Sequence, residues 1–239
     1  MEPRSARADG SPNDLVAPPG QRWRLVLARS VDAPRPAGRE LAEAWEAALE
    51  ATGLPIHRPA GKPHGRVAFG APLQLGIAAE REPAEIFLAE RVPLWRVREG
   101  LEAHLPEGWA LIDLFDVWVG GPPLPGRVVG ADYRVEIAPG VGADTLAAAA
   151  RELLDARALP RVRQKGDGTV AYDLRPLLTD LSVNGSGDRP ALRVRVRIHP
   201  ELGTGRPEEV VAALGDRVGR ALDVDAIVRE RVILSGDAG

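Results

Sequence analysis

Residues 120–126 read GGPPLPG. Consecutive glycines and prolines are strong local punctuation, and this stretch divides the chain into two halves that can be laid side by side. Upstream, RWRLVLAR (22–29) alternates Trp23, Leu25 and Leu27 with Arg22, Arg24 and Val26, the pattern of a half-buried strand. RELAEAWEAALEATG (39–53) places Leu41, Ala44, Trp45, Ala48 and Leu49 on one helical stripe, with Gly53 as a stop. RVAFGAPLQLGI (66–77) and AEIFLAE (84–90) read as two strands. Pro93 opens a helix with Leu94, Val97, Leu101 and Leu105 on one side, and WALIDLFDVWV (109–119) reads as a further strand.

Downstream the order restarts. DYRVEI (132–137) is a strand, DTLAAAARELLDAR (144–157) a helix, VRQKGDGTVAYDL (162–174) an arm and turn, and ALRVRVRIHP (191–200) a strand. Pro207 begins a helix whose first turn holds Glu208 and Glu209, matching the positive end of the dipole, and AIVRERVIL (226–234) closes the series. Two copies of β-α-β-β-α-β predict an α+β protein of two tandem ferredoxin-like domains. The expected boundaries are a disordered tail over 1–20, a first domain over 21–119, a linker over 120–131, a second domain over 132–234 and a short tail over 235–239.

With 239 residues and a 44% apolar fraction the chain can build a sizeable core, and a formal net charge of -3 argues against a uniformly basic nucleic-acid protein. There is no cysteine, which removes thiolate chemistry, disulfides and cysteine-held clusters from this chain. No apolar run is long enough for a membrane span, and the N-terminus lacks a signal-peptide core, so a cytoplasmic protein without a membrane partner is expected. No cofactor or metal is expected either. Of 31 basic residues only Lys62 and Lys165 are lysines.

Three places could carry function. In RVRQKGDGTVAYDLRPLL (161–178), Asp173 and Arg175 are two apart and share a side of a strand. Arg175 with Lys165 and Arg163 could form an anion site; the plainer reading is an Asp173–Arg175 bridge at the exit of a hairpin. In RVRVRI, Arg193, Arg195 and Arg197 alternate with Val194, Val196 and Ile198, which puts three guanidinium groups on the open face of a sheet. Such a face suits phosphate, though no aromatic pair accompanies it, and carboxylates such as Glu136 and Glu230 could neutralise it. The loop HRPAGKPHGR (57–66) gathers His57, Arg58, Lys62, His64 and Arg66. Lys62 and Arg66 are candidate RNA contacts. His64 as general base with Lys62 is the alternative, a metal-free endoribonuclease. Trp95 and Trp118 lie off the core stripes and suit a protein interface.

KPHGRVAFGAPLQLGI (62–77), KGDGTVAYDLRPLL (165–178) and TGRPEEVVAAL (204–214), in that order, resemble the radical-SAM-linked protein family, bacterial proteins encoded beside or fused to radical SAM proteins. The departures are two: ARSVDAPRPAGREL (28–41) lacks the family's histidine, and PAGKPHG (59–65) lacks its Phe and Asn. The resemblance implies a radical SAM protein as partner and RNA or ribosome-related chemistry nearby. It implies no catalytic mechanism. The expectation is therefore a non-enzymatic accessory protein that holds RNA on a basic surface, with the endoribonuclease or a pure protein–protein adaptor as alternatives.

Overall fold

The computed structural model describes residues 17–36, 38–62, 64–166, 168–185 and 189–236, the side chain of Lys165 apart. The N-terminal tail up to residue 16 thus lies outside the described residues. The first half forms β1 (Gln21–Arg29), α1 (Gly38–Ala51), β2 (Ala68–Phe69), β3 (Ala78–Leu88), α2 (Leu94–Glu102) and β4 (Trp109–Val117). The second forms β5 (Val128–Ile137), α3 (Ala143–Asp155), β6 (Pro160–Lys165), β7 (Gly168–Asp173), β8 (Leu178–Asn184), β9 (Ala191–His199), β10 (Gly203–Thr204), α4 (Pro207–Val218) and β11 (Val224–Leu234). The described residues form a mixed α+β structure with one large sheet and four helices.

The stripes and caps explain the helices. Trp45 and Leu49 of α1, Val97 and Leu101 of α2, and Leu146, Ala149, Ala150 and Leu153 of α3 are the buried positions. Helix α4 starts at Pro207 and ends at Gly219, whose φ of 76° favours a residue without Cβ. The strands alternate in the same way: Trp23, Leu25 and Leu27 of β1 and Leu192, Val194 and Val196 of β9 are buried against helices.

Separation is where expectation fails. In place of two sheets joined by a linker, a single nine-stranded sheet runs β10-β9-β5-β11-β3-β1-β4, with β8 on β9 and β2 on β3. The halves join where β11 pairs in parallel with β3, Val228 against Ala78 and Arg229 against Ala79. The cause is the length of β3. It begins at Ala78, well before the expected Ala84, so its first residues extend past β2 and offer a free edge. The strand expected over 66–77 shrinks to Ala68–Phe69, because Gly70 and Pro72 break it and Gly76 takes a φ of 83°. The GGPPLPG stretch is no free tether either. A 3-10 turn over Leu124–Arg127 buries Leu124 completely against Ala71, Val128, Val232 and Leu234. Strand β5 already starts at Val128, inside the expected linker.

The junction carries a buried ion pair. Arg229 donates to the Glu82 carboxylate at 2.7 Å, and to the carbonyls of Ala71 and Pro72. Glu82 and Arg229 are 0% and 2% exposed. A bulge opposite Leu27–Arg29 changes the parity of β3. Glu82 therefore faces the helix side with Tyr133, whereas Glu80 meets Arg134 on the open face. Burial pushes the Glu82 carboxyl up to about 7, more than Arg229 pulls it down.

Two outcomes test this junction. Arg229→Met strands a buried carboxylate and should lower unfolding free energy by about 3–5 kcal/mol. Glu82→Leu combined with Arg229→Met should recover most of that loss, both read by denaturant titration. A raised carboxyl binds its proton more tightly in the folded chain than in the unfolded one, so its contribution is greatest below the ordinary value of 4.5. Relative to Glu82→Gln, the wild type should lose stability as pH rises from 4.5 through about 7.

Candidate functional site

The hairpin β6–β7 stands apart from the main sheet as its own two-stranded unit. It is tied down by Arg161, which pairs with Asp216 of α4 at 2.6 Å, and by Arg163, which lies over the Tyr172 ring at 4.8 Å and donates to the Thr204 carbonyl. Arg163 also stands near Glu209, whose carboxyl is raised by burial against the opposing pull of Arg163 and Arg161. The side chain of Lys165 lies outside the described residues.

The Asp-Leu-Arg-Pro corner has a structural reading that sequence reasoning missed. Asp173 does not bridge to the Arg175 guanidinium. Its Oδ1 accepts from the backbone N–H groups of Leu159 (2.7 Å) and Arg175 (2.9 Å). Arg175 turns inward: Nε and Nη2 donate to the Leu154 carbonyl at the end of α3, and Nη1 donates to the Leu178 carbonyl. The guanidinium therefore meets backbone oxygens where an anion was expected. Pro176 lies in the 3-10 turn Arg175–Leu177 that leads into β8. Arg175→Lys keeps the charge and loses the fork, leaving a part-buried carbonyl short of a donor. It should cost about 1–3 kcal/mol in unfolding free energy, and an unchanged stability would return Arg175 to the list of free cations.

The arginine strand does project as its alternation requires, with Arg193 and Arg197 exposed on the open face and Arg195 partly covered. Their surroundings are not a bare basic surface. Asp132 on β5 accepts from Arg195 at 2.6 Å and from Arg231 at 2.7 Å. Burial of Asp132 opposes its ionisation, but those two hydrogen bonds prevail and hold the carboxyl below its ordinary range. Glu230 sits 3.6 Å from Arg134 and 4.0 Å from Arg193, while Glu136 takes Arg134. Asp132, the strongest partner, was not foreseen, because the strand read from 132 gave no register against β9. The antiparallel register puts it directly opposite Arg195.

The loop over 57–66 departs from the first half's sheet edge next to β2. His64 Nδ1 lies 2.5 Å from Glu50 Oε1 of α1, and His57 Nε2 lies 3.0 Å from the Ala17 carbonyl. Lys62, His64 and Arg66 line one depression with Glu46, Pro59 and Ala60. Arg66 and Pro59 also line a second depression with Pro19, His57, Ala68 and Phe87. The structure thus brings Lys62, His64 and Arg66 together, but on a different half from Arg193, Arg195 and Arg197. Among the described residues no group of three or more His, Cys, Asp or Glu side chains could hold a metal ion, and no described helix is long and apolar enough to cross a membrane.

The opposite margin of the sheet is apolar. Strand β4 ends the sheet order, so among the described residues one of its edges has no neighbour. Phe115 is 46% and Trp118 76% exposed there. Leu94 and Trp95, at the start of α2, are 47% and 64% exposed, and Leu94 shares a depression with Asp116 of β4.

Comparison with known proteins bears on the fold and the family. No curated protein matches this sequence. A chain in the crystal structure of a Cbf5–Nop10–Gar1 complex is similar at a TM-score of 0.51 and 12% identity, covering 94% of this chain and 56% of that one, so the likeness concerns the fold alone. The crystal structure of an unknown protein from Galdieria sulphuraria overlaps at a TM-score of 0.24 and 15% identity, over 86% of this chain and 96% of that one, and carries no weight. The model of a family described as an uncharacterized protein conserved in bacteria (DUF2344) matches residues 30–210, and the chain belongs to that family.

Proposed function

We propose that the protein is a non-catalytic accessory protein that docks a protein partner along β4. The observation that carries this reading is the edge of β4, unpaired among the described residues, with Phe115 and Trp118 exposed on or next to it and Leu94 and Trp95 exposed at the start of α2. An unpaired edge strand with large apolar side chains is a template for another chain unless something covers it. Tryptophan is enriched among the residues that dominate interface energies. The partner that the family resemblance implies is a radical SAM protein. The strand orders β4-β1-β3-β2 and β11-β5-β9-β8 support reading each half as a ferredoxin-like unit, fused edge to edge through β3 and β11. In that arrangement β4 is the margin of the first unit that the fusion leaves open.

A second reading, RNA held on the arginine face, keeps one specific observation in its favour: Arg193 and Arg197 are exposed. Arg195 and Arg175 are engaged within the fold and are not needed for it. The endoribonuclease alternative would rest on His64, which the structure pairs with Glu50 in an exposed loop.

Binding of a radical SAM protein of the kind the resemblance implies, measured by calorimetry, should weaken at least 30-fold in Phe115→Asp with Trp118→Asp, a loss of about 2 kcal/mol. The melting temperature should stay within a few degrees, since both side chains are exposed. Unchanged affinity would sink the docking reading. Arg193→Gln with Arg197→Gln tests the second reading: the slope of log affinity for single-stranded RNA against log salt should fall by roughly 1.4, near 0.7 per phosphate contact. An unaltered slope removes RNA from this face.

A further inference from the structure

The two depressions at the 57–66 loop differ in chemistry and share a wall. The first, about 220 Å³, is lined by Pro19, Pro59, Ala68 and the rings of Phe87 and His57. The second, about 390 Å³, is lined by Lys62, His64, Arg66 and Glu46. Pro59 and Arg66 belong to both. Pockets for drug-sized ligands run roughly 300–1,000 Å³, so the first has room for a single flat ring system and little more. The Phe87 ring is fixed by the Arg22 guanidinium, 5.5 Å from its centroid, and Arg22 is itself held by Glu85 and the carbonyls of Gly121 and Pro122.

We propose that this loop binds a phosphorylated nucleoside, with the base in the apolar depression against Phe87 and His57 and the phosphate on Lys62 and Arg66 next door. An apolar ring slot beside a pair of cations is what a nucleotide presents in complement: a π-face for stacking, and oxygens that accept from a guanidinium fork and an ammonium. Arg66, common to both walls, stands where base and phosphate are joined through the sugar. Glu46 sharpens the assignment. A carboxylate in the same wall disfavours a bare inorganic anion, whereas ribose brings hydroxyl donors for it to accept. His64 is turned towards Glu50 and is a positioning residue for the loop. The site lies in the first half and uses none of Arg193, Arg195 or Arg197, and it does not depend on the docking of a partner at β4.

The same chemistry is offered by a free nucleotide and by a residue in a single strand, and one titration series separates them. The full chain is titrated with AMP, adenosine, inorganic phosphate and a single-stranded hexaadenylate, with affinity read by calorimetry and contacts by amide chemical shifts. AMP should bind at least tenfold tighter than adenosine or phosphate, and shifts should centre on residues 57–66 and Phe87. Phe87→Leu should weaken AMP at least fivefold, as loss of base stacking does, without altering the weak binding of phosphate. Lys62→Gln, an exposed change that leaves the core untouched, should weaken AMP at least fivefold and flatten its salt dependence, keeping the proposal testable should Phe87→Leu fold poorly. Hexaadenylate binding at least tenfold tighter than AMP assigns the site to a strand, and equal or weaker binding assigns it to free nucleotides. Phosphate binding as tightly as AMP, no AMP binding at 1 mM (about -4 kcal/mol), or wild-type affinity in both variants would overturn the proposal.

Discussion

The Glu82–Arg229 pair makes one body out of two similar halves. The parallel ladder between β3 and β11 is short, Ala78 with Val228 and Ala79 with Arg229, and so short a ladder supplies little by itself. What surrounds it supplies the rest. Arg229 reaches across from β11 and meets at once one oxygen of a buried carboxylate on β3 and the carbonyls of Ala71 and Pro72 in the loop that precedes β3. A buried pair of this kind is not a large source of net stability. Its consequence is specificity of register: shifting β11 along β3 would leave both charges buried and unpaired. Glu80 with Arg134 marks the same register on the open face.

The same device recurs wherever the backbone is irregular. Proline supplies a carbonyl but no N–H, and loops rich in Pro and Gly leave acceptors in surplus. Arginine, with five donors in a planar fork, can meet several of them at once where lysine offers a point charge. Arg22 takes the carbonyls of Gly121 and Pro122, Arg29 those of Ile77 and Pro34, Arg175 those of Leu154 and Leu178, and Arg229 those of Ala71 and Pro72. The scarcity of lysine, which composition alone suggests is a coding bias, has a structural counterpart in these contacts. It also explains why a sequence rich in arginine need not present a basic surface.

Periodicity made the helices and the strands β5, β9 and β11 legible, because a stripe of Leu and Ala or an alternation of Arg and Val has one physical solution, whereas β8 (Leu178–Asn184) went unread. The residues that join the halves were opaque for the opposite reason. AAERE over 78–82 has no apolar alternation, and the cross-strand partners Arg134 and Arg229, far away in sequence, make those glutamates tolerable in a strand. The bulge that turns Glu80 outward and Glu82 inward cannot be read from a period of two. GGPPLPG reads as a linker, but Leu124 within it is fully buried and packs against Ala71 of the first half and Val128, Val232 and Leu234 of the second. Among the candidate site residues, the outward direction of Arg193, Arg195 and Arg197 followed from alternation. The pairing of Arg195 with Asp132 followed from register, which a single strand does not encode, while Glu230, expected among the neutralising carboxylates, lies 4.0 Å from Arg193.

Charge balance then decides which surfaces remain open to a ligand. On the second half's open face the guanidinium groups of Arg134, Arg195 and Arg231 are matched by carboxylates within hydrogen-bond reach, so a phosphate reaches those three only by displacing an existing partner, while Arg193 and Arg197 stay exposed. On the 57–66 loop Lys62 and Arg66 line one depression with Glu46, and the neighbouring depression is mostly apolar. A ligand can therefore add contacts there without breaking any. At β4 the unsatisfied feature is not charge but the backbone edge and the rings beside it, which water solvates poorly. The nucleotide and the protein partner we propose would both be held by the first half of the molecule. The second half, whose charges are largely satisfied internally, serves as the frame that holds β3 in position.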